Sequence, residues 1–252
     1  MEHEEIKKQT RVILNELIEY PFSQIFDISP AEQKLKELYQ ISPTALEPLI
    51  GLMLANIMLG KRDIAEGLAD KIWSIGGNLS PFFELIYTDN LLNIGEIERA
   101  GILLKERLAH ISDNIKHFYT VMIKYALLSG NLALVKQIGG YPDVYDKEPI
   151  LFDFAERHCR DLSIKDYRAI LKILRDNLDR KICAFEYLMY SEGSLEFVLY
   201  TSDDVEQNET SKKILTEKIN GYFMTMQQPS MDDLTINLKN IKLHPSWMGK
   251  KD

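Results

Sequence analysis

The chain has 252 residues and a formal net charge of −8 at pH 7, a length that suits one large domain or two small ones. Its acidic balance repels a phosphate backbone and so disfavours nucleic acid as a partner. Two cysteines are too few for a disulfide-built secreted domain, and no run approaches the ~18 apolar residues of a membrane span. Since the N-terminus also lacks the apolar stretch of a signal peptide, we expect a cytoplasmic protein with reduced cysteines and no membrane span.

The first predicted helices are marked by their start signals. Residues 4–20 carry an apolar stripe at helical spacing, with charged residues on the opposite face. Ser29-Pro30 and Ser42-Pro43 each place a capping serine before a proline, which suits the first helical position. The helix that follows Ser42-Pro43 is predicted to be the first arm of a repeated unit.

Three evenly spaced glycines indicate this repeat. Gly60, Gly95 and Gly130 follow one another at intervals of 35 residues, and each comes after an apolar run. Glycine adopts the left-handed conformation of a helix end without a Cβ clash, so each one suits a tight turn. Five places after each glycine is a small or β-branched residue that allows close helix packing: Ala65, Ala100 and Val135. The pattern predicts three copies of a helix–turn–helix unit that stack and share a core.

The repeat resembles the tetratricopeptide (TPR) family, whose helix pairs recur about every 34 residues. The resemblance covers roughly residues 46–138. It departs from the family in the middle of the first arm, where Met53, Thr88 and Ile123 replace a small residue. The resemblance implies a mainly α fold, with a TPR-like α-solenoid of helix hairpins over residues 1–180. Its first arms would line a concave groove that suits a peptide or a helix of a partner protein.

The family's inner-face positions, carried onto this chain, give ten candidate groove residues. They come from the first arms of the three pairs: Glu47, Ile50, Leu54, Ile57, Phe82, Leu85, Asp89, His117, Thr120 and Lys124. The function that this groove implies is that of a non-catalytic adaptor, chaperone-like protein or regulator, which needs no cofactor.

After the repeats the pattern changes twice. Residues 143–149 are polar and broken, which predicts a loop, and two helices at 150–160 and 164–178 are candidates for a diverged fourth pair. Residues 182–190 and 195–200 are then rich in aromatic and β-branched residues, with a glycine-containing turn between them. This arrangement predicts a β-hairpin.

The end of the chain completes a small α+β unit. Residues 209–226 have a helical apolar pattern, and alternating apolar residues at 234–238 predict a third strand. The alternation slips before Ile241 and Leu243, which suggests a β-bulge. Because a sheet this small needs an apolar surface to pack on, we expect the β-β-α-β unit of residues 181–252 to pack on the last helices.

An acidic cluster raises an enzymatic alternative. Asp203, Asp204 and Glu206 follow the second predicted strand, and carboxylates at a strand end can hold the divalent ion of a metal-dependent hydrolase or nuclease. The competing interpretation places these acids at the N-terminus of the next helix, where the helix dipole stabilises negative charge. Residue types alone leave both interpretations open.

A basic tail raises a third possibility. Its cationic residues are Lys239, Lys242, His244, Lys250 and Lys251. Such a tail either contacts a phosphate backbone or an acidic partner, or is simply solvated. Trp247, beside Pro245, is expected to dock on the protein itself or on a partner, because a tryptophan side chain combines a large apolar surface with one polar group.

Overall fold

A computed structural model describes residues 3–19, 27–159, 161–178, 181–224 and 234–240. Within these ranges the chain is mainly helical and carries one small sheet in its C-terminal part. The helices are α1 (His3–Ile18), α2 (Ser29–Ile41), α3 (Leu46–Met58), α4 (Arg62–Ile75), α5 (Pro81–Asn93), α6 (Ile97–Ala109), α7 (Ile111–Ser129), α8 (Leu132–Gly139), α9 (Pro142–Tyr145), α10 (Pro149–His158), α11 (Asp161–Leu178) and α12 (Val205–Met224). The strands are β1 (Ile182–Met189), β2 (Leu195–Thr201) and β3 (Leu234–Asn240).

The three predicted turns share one geometry. Gly60, Gly95 and Gly130 have φ angles of 63°, 82° and 73°, in the left-handed region. In each turn the residue after the glycine donates its backbone N–H, over 2.8 Å, to the carbonyl five residues earlier: Lys61 to Asn56, Glu96 to Leu91 and Asn131 to Ala126. This is the Schellman motif that ends a helix at a glycine. The predicted helix–turn–helix units are therefore present as three hairpins: α3/α4, α5/α6 and α7/α8.

The small or β-branched residue near the start of each second arm is buried. Ala65, Ala100 and Val135 are all fully buried, with 0% exposure. The first arms also pack on one another in order, because α5 contacts both α3 and α7. Helix α11 then crosses the third turn, where the Tyr167 hydroxyl donates to the Leu127 carbonyl over 2.9 Å and Arg168 Nε donates to the Gly130 carbonyl over 3.0 Å.

The C-terminal elements form the predicted β-β-α-β unit. Strands β1 and β2 pair antiparallel, and β3 pairs parallel to β2 after the crossover through α12. Gly193, in the hairpin turn, has a φ of 88° and donates its backbone N–H to the Tyr190 carbonyl over 2.8 Å.

Several boundaries differ from the prediction. Neither Ser29 nor Ser42 caps its helix, because α2 has no side-chain cap and α3 begins only at Leu46. Helix α9 overlaps the start of the predicted loop, α11 begins at Asp161, and α12 begins at Val205, where Asp204 caps it. The predicted bulge before Ile241 lies outside the described residues.

The sheet packs on more of the helical part than the sequence predicted. Helix α11 contacts it as expected, through Tyr167, whose ring lies edge-on to that of Phe197 with 6.1 Å between centroids. Strand β1, however, also packs on α3 and α5, which lie much earlier in the chain than the last helices. Buried apolar residues on both sides of residue 180 belong to one continuous cluster. The described parts of residues 1–180 and 181–252 therefore share a hydrophobic core.

A separate observation concerns membranes. Among the helices in the described ranges, none combines the length and the apolar character needed to cross a bilayer.

Candidate functional site

The predicted groove residues on α3 lie in the core. Ile50 and Ile57 have 0% exposure, Leu54 has 5% and Glu47 has 8%. Helices α1 and α2 and strand β1 pack around α3. The prediction that these four residues line an open groove is therefore wrong. The signal was present in the sequence, because a helix that is apolar on all sides is expected to be buried.

Three other predicted groove residues come together at an open surface. Phe82 and Leu85 of α5 are half-buried, and His117 of α7 is exposed. Arg11 of α1 joins them, with its guanidinium carbon 4.7 Å from the centroid of the Phe82 ring. These residues line a concave pocket with a volume of ≈ 420 Å³, and Ser80, Pro81 and Phe118 also line it. We call this pocket the α1–α5–α7 depression. Thr120 is exposed on α7 but does not line it.

The last two predicted groove residues, Asp89 and Lys124, form a structural network. Lys124 Nζ lies 2.8 Å from Asp89 Oδ1 and 2.8 Å from Asn93 Oδ1. The same Asn93 oxygen accepts the backbone N–H of Phe185 in β1 over 3.1 Å. The free backbone groups of an edge strand are a liability unless they are covered. The network therefore holds one edge of the sheet against α5. Because the charged groups of Asp89 and Lys124 already bond within the protein, few of their hydrogen-bonding groups are left for a partner.

Arg62 anchors the start of the same strand, and sequence reasoning did not select it. Its Nη1 donates to the Ile182 carbonyl over 2.7 Å and its Nη2 to the Ile94 carbonyl over 2.8 Å. Its Nε donates to Glu66 over 2.8 Å, and the residue is only 8% exposed. A cation in the first turn of a helix is disfavoured by the helix dipole. The unfavourable position of Arg62 in the sequence could therefore have indicated that its acceptors lie elsewhere in the fold.

Strand β1 also reaches the segment before α10. The Tyr187 hydroxyl lies 3.5 Å from Glu148 Oε1. Burial, reinforced by the negative charge of Glu148, raises the pKa of Tyr187 far above its usual value. A tyrosine hydroxyl is protonated near neutral pH in any case, and the raised pKa keeps this one a donor in alkaline solution as well. With Arg62 near one end and Glu148 near the other, β1 is fixed across the helical part.

Two of the three residues in the acidic cluster make structural contacts. Asp203 Oδ2 lies 3.0 Å from Lys181 Nζ. Asp204 and Gln207 form a capping box: Gln207 donates its backbone N–H to Asp204 Oδ1 over 2.8 Å, and Asp204 donates its own to Gln207 Oε1 over 3.2 Å. Glu206 lies in the first turn of α12. In the described part of the chain, no group of three or more His, Cys, Asp or Glu residues is arranged to hold a metal ion.

The capping box leads to a prediction about Asp204. Replacing it with alanine removes the acceptor for Gln207, so Asp204→Ala is expected to lower the free energy of unfolding by about 1 kcal/mol. Asp204→Asn, which keeps a capping oxygen, is expected to cost less. Urea unfolding followed by circular dichroism measures both values. Equal losses for the two variants, or a larger loss of stability in Asp204→Ala when Mg²⁺ is present, would contradict the capping role.

One residue of the predicted basic tail lies within the described part of the chain. Lys239 lies in β3 and is half-buried. The other tail residues lie outside the described residues: Lys242, His244, Trp247, Lys250 and Lys251.

Comparison of the chain with protein-family models, with curated proteins and with solved structures found no match. The TPR resemblance therefore rests on the repeat pattern of this chain.

Proposed function

We propose that this protein is a non-catalytic adaptor or regulator, built on a TPR-like α-solenoid, that binds a short segment of a partner protein. The observation that carries the proposal is the α1–α5–α7 depression. Side chains from three helices, including Phe82, Leu85 and His117, converge there on one open concave surface. Concave surfaces formed by neighbouring helical repeats are suited to extended peptides and helices.

The repeat geometry supports the solenoid part of the proposal. Three hairpins with the same Schellman turn follow one another in the chain. Their first arms are neighbours, in the order α3, α5, α7. Stacking similar units in this way gives each unit contacts with its neighbours and leaves one wall of first arms. Because the α3 end of that wall is covered by α1 and β1, we place the binding surface on the exposed part of α5 and α7.

The composition of the depression suggests the chemistry of the bound segment. Phe82 and Leu85 provide an apolar floor, and Arg11 and His117 provide cationic or hydrogen-bonding groups beside it. Apolar side chains that fill such pockets supply affinity, whereas charges at the rim mainly supply specificity and association rate. The segment that fits is a short peptide with an apolar side chain next to an aspartate or glutamate.

Peptide display tests this proposal. A random peptide library selected on the full chain is expected to enrich apolar residues adjacent to Asp or Glu. His117→Glu places a negative charge at an exposed rim position, and it is expected to weaken binding of a selected peptide at least tenfold. The matched control is His110→Glu, because His110 is an exposed histidine that does not line the depression; it is expected to change the affinity less than twofold. Failure to enrich any peptide, or equal effects of the two variants, would refute the proposal.

A further inference from the structure

A second concave site lies where the helical part meets the sheet. A cavity of ≈ 390 Å³ opens between the turn after α5, helix α11 and strands β1 and β2. We call it the junction cavity. Its lining is mainly apolar and includes Leu92, Leu128, Leu171, Leu174, Phe185 and Phe197. Small-molecule sites have volumes of about 300–1,000 Å³ and consist of apolar walls with a few polar groups. The junction cavity falls at the small end of that range.

A buried arginine supplies the polar group. Arg62 lines the cavity and is 8% exposed. A guanidinium carries five N–H groups, and the Ile182 carbonyl, the Ile94 carbonyl and Glu66 each accept one. The remaining two N–H groups have no acceptor among the residues that the structure describes. Because buried donors without acceptors are costly, this position favours a ligand that brings acceptor oxygens.

The charges beside the cavity nearly balance, so the preference for a carboxylate comes from the hydrogen-bonding geometry of Arg62. Among the described lining residues, Arg62 and Arg175 carry guanidinium groups and Asp176 carries a carboxylate, and Arg62 is also paired with Glu66 over 2.8 Å. Arg175 and Asp176 are exposed and lie toward solvent, whereas Arg62 lies in the buried part. A planar carboxylate matches the paired N–H groups of a guanidinium better than a spherical ion does.

We propose that the junction cavity binds a small amphipathic carboxylate. Its apolar body contacts the leucine and phenylalanine side chains, and its carboxylate accepts the two remaining N–H groups of Arg62. This site is distinct from the α1–α5–α7 depression, so the two proposals stand or fall separately.

Titration of the full chain with octanoate, observed by amide chemical shifts, tests the proposal. Octanoate is expected to bind saturably, with the largest shifts at the backbone amides of Gly95 and Leu171, which line the cavity. 1-Octanol has the same chain without the charge, and it is expected to bind at least tenfold more weakly. Equal affinities for octanoate and 1-octanol would show that Arg62 does not bind the carboxylate. Shifts centred on exposed apolar residues of other helices, such as Ile64 and Ile102, would place binding outside the cavity.

A cavity-filling variant gives an independent test. Leu128→Trp places a larger side chain in the space, so octanoate affinity is expected to fall at least tenfold. The matched control is Leu103→Trp, since Leu103 is also half-buried but does not line the cavity; its affinity is expected to stay within twofold of the original. Unchanged binding by Leu128→Trp would overturn the proposal. If that variant does not fold, the shift map and the comparison with 1-octanol decide the question on the unaltered chain.

Discussion

Replacing Phe185 with alanine is expected to lower the free energy of unfolding by about 3–5 kcal/mol, because the change removes a buried aromatic side chain and leaves a void. Phe185 is 2% exposed, and its ring lies edge-on to Phe197 with 5.0 Å between centroids. The Lys124 ammonium lies 6.0 Å from the same ring centroid. Phe185 therefore packs at the contact between β1 and the helical repeats.

The expected loss extends to the helices because the sheet and the repeats share one core. Urea unfolding followed by far-ultraviolet circular dichroism reports the helical signal, and its single transition is expected to move to lower urea in Phe185→Ala. The control is Leu188→Ala on the same strand, where the side chain is 42% exposed; it is expected to change stability by less than about 1 kcal/mol. If the helical transition of Phe185→Ala matches that of the unaltered chain, the sheet is not part of the cooperative unit.

The second large effect is expected from Gly139→Ala, which should destabilise the protein by about 1–3 kcal/mol through overpacking. A Cβ at this position would lie 2.5 Å from Phe152 Cγ and 2.9 Å from Phe152 Cβ. Since Phe152 Cβ is attached directly to the backbone of α10, side-chain rotation cannot relieve the clash. Helices α8 and α10 would have to move apart, and Phe152, at 4% exposure, would lose contacts.

Gly67→Ala is the matched substitution with the opposite expected sign. Gly67 lies inside α4, and a Cβ there would have no neighbour within 4 Å. Alanine in a helix interior is favoured over glycine by about 1 kcal/mol, so this variant is expected to be more stable than the unaltered chain. Thermal and urea unfolding of both variants measure the difference. Similar stability changes in the two variants would show that the close approach of α8 and α10 is not what requires glycine at position 139.

Several features of the fold could be predicted from short stretches of sequence. The three turns follow from glycine at Gly60, Gly95 and Gly130, because the left-handed conformation of a helix end is a property of a few neighbouring residues. The hairpin between β1 and β2 follows in the same way from apolar segments separated by a turn that contains Gly193. The order β-β-α-β was also predicted, since alternation and helical periodicity are local patterns.

The candidate site could be predicted only in part. Phe82, Leu85 and His117 were selected from sequence and do line one depression. Arg11 joins them from a helix that precedes the repeats, and the TPR resemblance gave no reason to include it. Asp89 and Lys124 were selected as groove residues, but they contact each other and Asn93, which holds β1.

The sequence by itself determined the helix hairpins, their 35-residue spacing and the small α+β unit, because these depend on contacts between residues that are close in the chain. Only the tertiary structure decided which faces remain open. The bond from Arg62 to the Ile182 carbonyl joins residues 120 positions apart, and contacts of this kind place β1 over α3 and α5. The sequence of a helix does not show which strand will cover it; its apolar character indicates only that something will. The predicted groove residues of α3 therefore lie in the core, and the exposed concave surface lies on α5 and α7 instead.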